Sequence, residues 1–269
     1  MSPADGCALA AVRWRERTVE VEHEWIAPER GKAPLVVFLH EGLGSVAMWK
    51  DFPQRLCAAG GFRGLVYSRP GYGHSTPRAP EVAWGVDFMH QQAQEVLPAF
   101  LRAVGVGEPV WLFGHSDGAS IALLYAATFP HAVHGLVVLA PHIFVEDLTV
   151  RSIELARDAY ERTDLRQRLA RYHADPDSAF RGWSRAWLNP QFRAWTIEPA
   201  LAAVRAPVMA VQGLDDQYGT LAQVRGIADR VPGTRLLELP DCAHSPHRDQ
   251  PDTVIAQAVA FIQAAGKGG

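Results

Sequence analysis

The sequence predicts an α/β protein built on a mostly parallel, doubly wound sheet, with a helical cap inserted near the middle of the chain. Three observations predict it. Short apolar runs alternate with longer helical patterns along most of the 269 residues. One interval, residues 141–200, breaks that rhythm and carries no strong strand. The stretch WLFGHSDGAS, residues 111–120, sets a serine between two glycines where a strand pattern meets a helix pattern.

The elements follow in order. An alternating start, VRWRERTVEVEHEWI, reads as an antiparallel leading hairpin. Residues 35–40, 64–68, 110–114, 135–140, 207–213 and 234–240 read as strands. They are apolar on both faces, as strands of a covered parallel sheet are. Helix patterns lie between them at 46–59, 87–104, 117–128, 220–230 and 251–264. Strand–helix alternation of this kind implies right-handed crossovers. Within 141–200, helical spacing is expected over 147–173 and 176–188. The core is therefore assigned to 1–140 and 201–269, and the cap to 141–200. The cap's aromatics, Trp183 and Trp187 among them, read first as cap-to-core packing, and some of these rings are expected to line a pocket.

Composition excludes several classes. Hydrophobic residues make up 48% of the chain and the formal net charge is −3. That is ample for a core and offers no basic stripe for nucleic acid. No segment approaches the ~18 uninterrupted apolar residues of a membrane span. The first residues, MSPADGCALAAVRWRERT, make a poor signal peptide. Three widely spaced cysteines argue against a disulfide framework and for a reducing compartment. The expectation is a cytoplasmic protein.

A serine at a strand-to-helix turn is lifted above the carboxyl edge of the sheet, where ligands bind in such folds. It also sits at a helix N-terminus, whose partial positive charge favours a developing anion. A serine hydroxyl needs a base to become a nucleophile, and the base needs a carboxylate to orient it. The expected order is Ser116, an acid after a later strand, then a histidine after the last strand. The loop GLDDQYG at 213–219 offers Asp215 and Asp216, and PDCAHSPH at 240–247 offers His244 and His247. Spacing alone leaves both choices open.

Together these residues resemble the α/β-hydrolase superfamily, from about residue 35 to 265, and the expected fold is the α/β-hydrolase fold. The resemblance implies Ser116 as nucleophile, Asp216 as the acid and His244 as the base. Asp215 is then a turn residue and His247 a pocket-edge or surface residue. It implies an oxyanion hole formed by the backbone N–H of Asp117 and by the loop HEGLGSVAMW at 40–49. There the superfamily usually has His-Gly before the donor. Here Glu41 stands at the glycine, which leaves Gly42 as the donor and Leu43 as the alternative. The turn YSRPGYGHS at 67–75 matches an Arg-x-Gly-x-Gly-x-Ser element of the superfamily, with Arg69 bracing it.

A serine nucleophile with such a hole implies acyl chemistry on a carboxylic ester through an acyl-enzyme, with no cofactor and no metal. The motifs SDG and LGS resemble valacyclovir hydrolase-like enzymes, in which the acid after the nucleophile recognises a substrate amine. That makes an aminoacyl ester a candidate. Enzymes with the same cap plan cleave carbon–carbon bonds of meta-cleavage diketones, and the fold also serves as a ligand receptor without turnover. Candidate substrate contacts are Glu41, Leu43, Asp117, Trp183 and Trp187. The expected partner is a small-molecule ester, and at most a second copy of the chain in a homodimer.

Overall fold

The computed structural model describes residues 6–266. Its elements, in chain order, are β1 (Cys7–Trp14), β2 (Arg17–Ile26), β3 (Leu35–Leu39), α1 (Phe52–Gly60), β4 (Arg63–Tyr67), α2 (Phe88–Gln91), α3 (Leu97–Ala103), β5 (Val110–His115), α4 (Asp117–Thr128) and β6 (Val133–Leu139). Then come α5 (Asp147–Arg162), α6 (Leu165–Leu169), α7 (Pro176–Trp187), α8 (Glu198–Leu201), β7 (Val208–Gly213), α9 (Ala222–Arg230), β8 (Arg235–Leu239), α10 (Pro246–Asp249) and α11 (Pro251–Ala265).

The eight strands form one sheet in the order β1-β2-β4-β3-β5-β6-β7-β8. β1 and β2 form the leading antiparallel hairpin, turned at Arg15, which holds a positive φ of 55°. β2 also pairs antiparallel with β4, and every later pairing is parallel. Successive strand residues face opposite sides, and in the central strands β3 to β7 both sides are buried, whereas β1, β2 and β8 keep exposed positions. Val37, Leu65, Leu112 and Val138 join one apolar cluster with Leu97 and Ile121 of the helices. Val36, Val66, Phe113 and Val137 join the other with Leu56 and Ile255. This two-sided burial is why the central strands are apolar without alternation.

Three helix patterns are subdivided where a single helix is read from sequence. The 46–59 pattern forms a 3₁₀ turn, Val46–Trp49, and then α1. Lys50 between them has a positive φ of 56°, and Pro53 in the first turn of α1 cannot continue an earlier helix. The 87–104 pattern is a continuous run whose middle, Gln92–Val96, is a π-turn just before Pro98. A wider turn there relieves the clash between a proline ring and the carbonyl four residues back. The 147–173 pattern divides into α5 and α6 and stops short of His173.

Between β6 and β7 the chain is helical, apart from an isolated bridge between Phe144 and Thr196. α5 and α7 lie over the carboxyl ends of the central strands, because Thr149, Ile153, Trp183 and Trp187 line the same cavity as Ser116. The strand order reverses at β3: the chain leaves it for β4 on one side and returns to β5 on the other. The loops after β3 and β5 therefore part at their carboxyl ends and open a crevice.

Candidate active site

Ser116 stands in that crevice, between β5 and α4. Its φ of 53° and ψ of −120° are strained for a residue with a side chain. The strand and helix can meet here only because both flanking positions are glycine. A Cβ at Gly118 would lie 2.1 Å from the Leu39 carbonyl oxygen, and one at Gly114 would lie 2.5 Å from that of Gly118. The serine side chain is thereby held proud of the sheet edge while remaining largely buried.

The loops after β7 and β8 bring the other two residues. The Ser116 Oγ lies 3.0 Å from the His244 Nε2. The His244 Nδ1 lies 2.8 Å from the Asp216 Oδ1 and 2.9 Å from its Oδ2. A carboxylate only accepts, so the proton of the neutral ring is on Nδ1 and Nε2 faces the serine as an acceptor. Asp216 also accepts from the Tyr218 N–H at 2.8 Å and the Gln212 Nε2 at 2.6 Å. Burial raises its pKa, but the bonds to His244 and Tyr218 outweigh it and hold the carboxyl below its usual range. Asp215 is exposed, and among the described residues only its backbone N–H is engaged, with the Cys242 carbonyl.

His247 departs from the expectation of a pocket-edge or surface position, being buried and outside the lining of the Ser116 cavity. It is 3% exposed and packs against Trp49 and Phe52. Pro246 starts a one-turn helix that carries the side chain inward, a turn too short to read from periodicity.

The backbone N–H groups of Gly42, Leu43 and Asp117 donate no hydrogen bond among the described residues, and all three residues line the cavity with Ser116. Gly42 lies under Trp183: a Cβ there would sit 2.2 Å from the indole Nε1. The loop that carries Gly42 is braced from below. The His40 Nδ1–H donates to the Glu41 carbonyl at 2.7 Å, and its Nε2 accepts from the Arg69 N–H at 3.0 Å. The buried Arg69 Nη2 donates to the same Glu41 carbonyl at 2.9 Å. The Glu41 carboxylate takes the Arg248 Nη2 at 3.2 Å and lies 3.5 Å from the His115 Nδ1. Burial raises its pKa, but His115 and Arg248 together hold it well below the usual range.

The Asp117 carboxylate is buried. Its Oδ1 accepts from the Trp187 Nε1 at 3.2 Å, and its Oδ2 lies 3.9 Å from the Arg69 Nη2. Burial raises its pKa to about 6. Glu41, Leu43, Asp117, Trp183 and Trp187 thus share one cavity, of about 90 Å³. That is narrow beside the ~300–1,000 Å³ of sites for drug-sized ligands. His142, Tyr218 and Thr149 also line it and were not singled out from the sequence. His142 and Thr149 have no motif around them, and Tyr218 lies in the loop GLDDQYG two residues beyond the acid. The nearest sequence signal is that His142 and Tyr218 follow the ends of β6 and β7, on the ligand-binding edge.

Chemically, the arrangement can deprotonate a hydroxyl, hold the resulting imidazolium against a carboxylate, and offer free N–H groups to an oxyanion. Among the described residues no helix is long and apolar enough to cross a membrane, and no group of three His, Cys, Asp or Glu side chains is arranged to hold a metal ion.

The chain is similar to known proteins in sequence and in fold. The chain is similar to human "Serine hydrolase BPHL", 26% identical over 214 residues, covering 75% of this chain and 70% of that protein. It is similar to "2-hydroxy-6-oxo-6-phenylhexa-2,4-dienoate hydrolase" of Burkholderia cepacia, 21% identical over 243 residues, covering 80% and 83%. Its fold matches the crystal structure of the enol-lactonase from Burkholderia xenovorans LB400 with a TM-score of 0.74 at 20% identity, covering 95% of this chain and 100% of that one. Residues 36–258 match the alpha/beta hydrolase family, and the chain belongs to it.

Proposed function

We propose that this hydrolase cleaves a small carboxylic ester through an acyl-enzyme on Ser116. The observation that carries the reading is the 3.0 Å approach of the Ser116 Oγ to a His244 Nε2 whose other nitrogen is held by Asp216. His244 takes the serine proton as Oγ attacks the ester carbonyl. The oxyanion is held by the N–H of Asp117 and that of Gly42 or Leu43. His244 then protonates the departing alcohol and activates the water that releases the acid. Residues 141–200 serve as a cap that excludes bulk water from the narrow cavity.

Within esters, the buried Asp117 carboxylate favours an aminoacyl substrate. Its Oδ2 has no hydrogen-bond partner among the described residues. An ammonium group on the acyl chain supplies one, and the rings of Trp183 and Trp187 beside it suit a cation.

Fluorophosphonate labelling followed by a panel of nitrophenyl and aminoacyl esters tests the proposal. Expected are covalent labelling at Ser116 and a burst of nitrophenol, both abolished in Ser116→Ala. Consumption of dienol diketones with negligible ester turnover would replace ester by carbon–carbon hydrolysis. Tight ligand binding with neither labelling nor turnover would make the protein a receptor.

A further inference from the structure

The Ser116–His244–Asp216 arrangement leaves one buried imidazole in the same cavity without a task. His142, just after β6, lines the cavity with Ser116 and His244 and is 2% exposed. Its backbone is fixed on both sides by one hydroxyl. The His142 N–H donates to the Ser120 Oγ at 3.0 Å, and the Ser120 hydroxyl donates to the His142 carbonyl at 2.7 Å. Its ring stands edge-on to Trp187, with centroids 5.0 Å apart, and its centroid is 6.0 Å from that of His244.

The protonation pattern follows from one contact. The His142 Nε2 lies 3.2 Å from the Tyr218 carbonyl oxygen. A carbonyl oxygen only accepts, so Nε2 carries the hydrogen and Nδ1 is a bare acceptor. That Nδ1 is buried and has no hydrogen-bond partner among the described residues. Burial lowers the ring's pKa to about 4, so the neutral, accepting form is present at neutral pH. A second unpartnered acceptor, the Asp117 Oδ2, belongs to another residue that lines the same cavity. Buried polar atoms are rarely left unmatched, and two such acceptors on residues of one small cavity call for a ligand that brings donors. A cavity of about 90 Å³ puts those donors close to the reacting carbonyl.

We propose that the His142 Nδ1 accepts a hydrogen bond from a hydroxyl or ammonium group on the carbon next to the reacting carbonyl, making the enzyme selective for 2-hydroxyacyl and 2-aminoacyl esters. The inference rests on the ester-hydrolase reading above. The bland alternative is a packing strut for Trp187. A strut does not distinguish substrates that differ only by a donor.

The test measures kcat/KM of the full chain on phenyl esters of propanoate, 2-hydroxypropanoate and alanine. The expected preference for the two donor-bearing esters over propanoate is about tenfold, the effect of one hydrogen bond. In His142→Leu the ratio for 2-hydroxypropanoate falls to near one and that for alanine falls only in part, since Asp117 still takes the ammonium, whichever way the absolute rates move. In Asp117→Asn the preference for alanine collapses while that for 2-hydroxypropanoate stays, which separates the two donor chemistries. Ratios in His142→Leu equal to those of the wild type overturn the inference. Labelling at Ser116 with no donor preference in the wild type also overturns it, and leaves the ester-hydrolase reading standing. Absence of Ser116 labelling removes both. Should His142→Leu fail to fold, wild-type protein carrying ¹⁵N-histidine decides. The His142 Nδ1 resonance moves on binding 1-hydroxyethylboronate but not ethylboronate, and an equal response to the two overturns the assignment.

Discussion

At the scale of single residues, adjacent side chains of the same type have different fates. Asp215 and Asp216 are indistinguishable by spacing, yet one faces solvent and the other accepts bonds from His244, Tyr218 and Gln212. The difference is three-dimensional, because it depends on where the β8 loop returns. Asp216→Asn is expected to lower kcat/KM by about 10⁴, since an amide stabilises the wrong tautomer of the histidine. Asp215→Asn is expected to change it less than twofold, and steady-state kinetics on one nitrophenyl ester checks both. Gly118 is equally specific. Its missing Cβ would enter the Leu39 carbonyl oxygen, so Gly118→Ala is expected to destabilise the fold by about 2–3 kcal/mol or more, read as a drop in the urea midpoint. Ser116 and its glycines were legible because a strained turn needs particular residue types at fixed spacing. His142 was not: a lone histidine in the stretch PHIF has no partner at a fixed offset, and its neighbours Tyr218 and Trp187 are 45 or more residues away in sequence.

At the scale of elements, the site is the meeting of four loops, and Glu41 joins three of them. It lies after β3, its carboxylate reaches Arg248 in α10, and it faces His115 at the end of β5. The His115 Nε2–H in turn donates to the His244 carbonyl at 2.7 Å. The superfamily's usual glycine would supply none of this. Glu41→Gln keeps the shape and removes the charge. Hydrogen bonds to charged groups are worth about 1.5–3 kcal/mol, and Arg248 is partly solvated, so a loss of about 1 kcal/mol is expected in urea unfolding. Arg248→Gln should produce a similar loss, and the double variant less than the two together. Strict additivity would mean that the contact carries no energy. The strands were legible for the opposite reason to these loops. Burial on both faces prints itself locally on each central strand, whereas the positive φ of Lys50 and the π-turn before Pro98 reshape helical patterns through backbone geometry that periodicity does not register.

At the scale of the whole molecule, the balance of buried titratable groups sets how the fold meets acid. His142 and His173 have pKa values lowered to about 4 by burial, and burial holds His40 and His247 well below the ordinary histidine value. His173 shows why neutrality matters. Its Nδ1 accepts from the Gly73 N–H at 2.9 Å and its Nε2–H donates to the Leu43 carbonyl at 2.9 Å, so it pins the helical segment to the loop after β3. Between pH 6.5 and about 4 the unfolded chain binds protons on these four rings and the folded chain does not, so stability falls as pH falls through that window. Asp117 has the opposite sign. Burial raises its pKa from 3.8 to about 6, so between those values the folded state holds a proton that the unfolded state has released, and acid favours folding there. These four rings, with His90 whose pKa burial also lowers, outweigh one carboxyl. The net slope reaches about 4 kcal/mol per pH unit at its steepest, against a total stability on the order of 5–15 kcal/mol. Thermal melts are expected to be flat from pH 8 to 7, to drop steeply below 6.5, and to show unfolding before pH 4. His173→Gln removes one ring and should flatten the slope by about one proton. A melting temperature constant down to pH 4.5 would mean that these rings take protons without unfolding the chain. Three of the four flank the loops that carry the site, so Ser116 labelling and near-UV circular dichroism should disappear together as pH falls. Loss of labelling while the spectrum persists would instead place the acid sensitivity in the chemistry of the site and not in its scaffold.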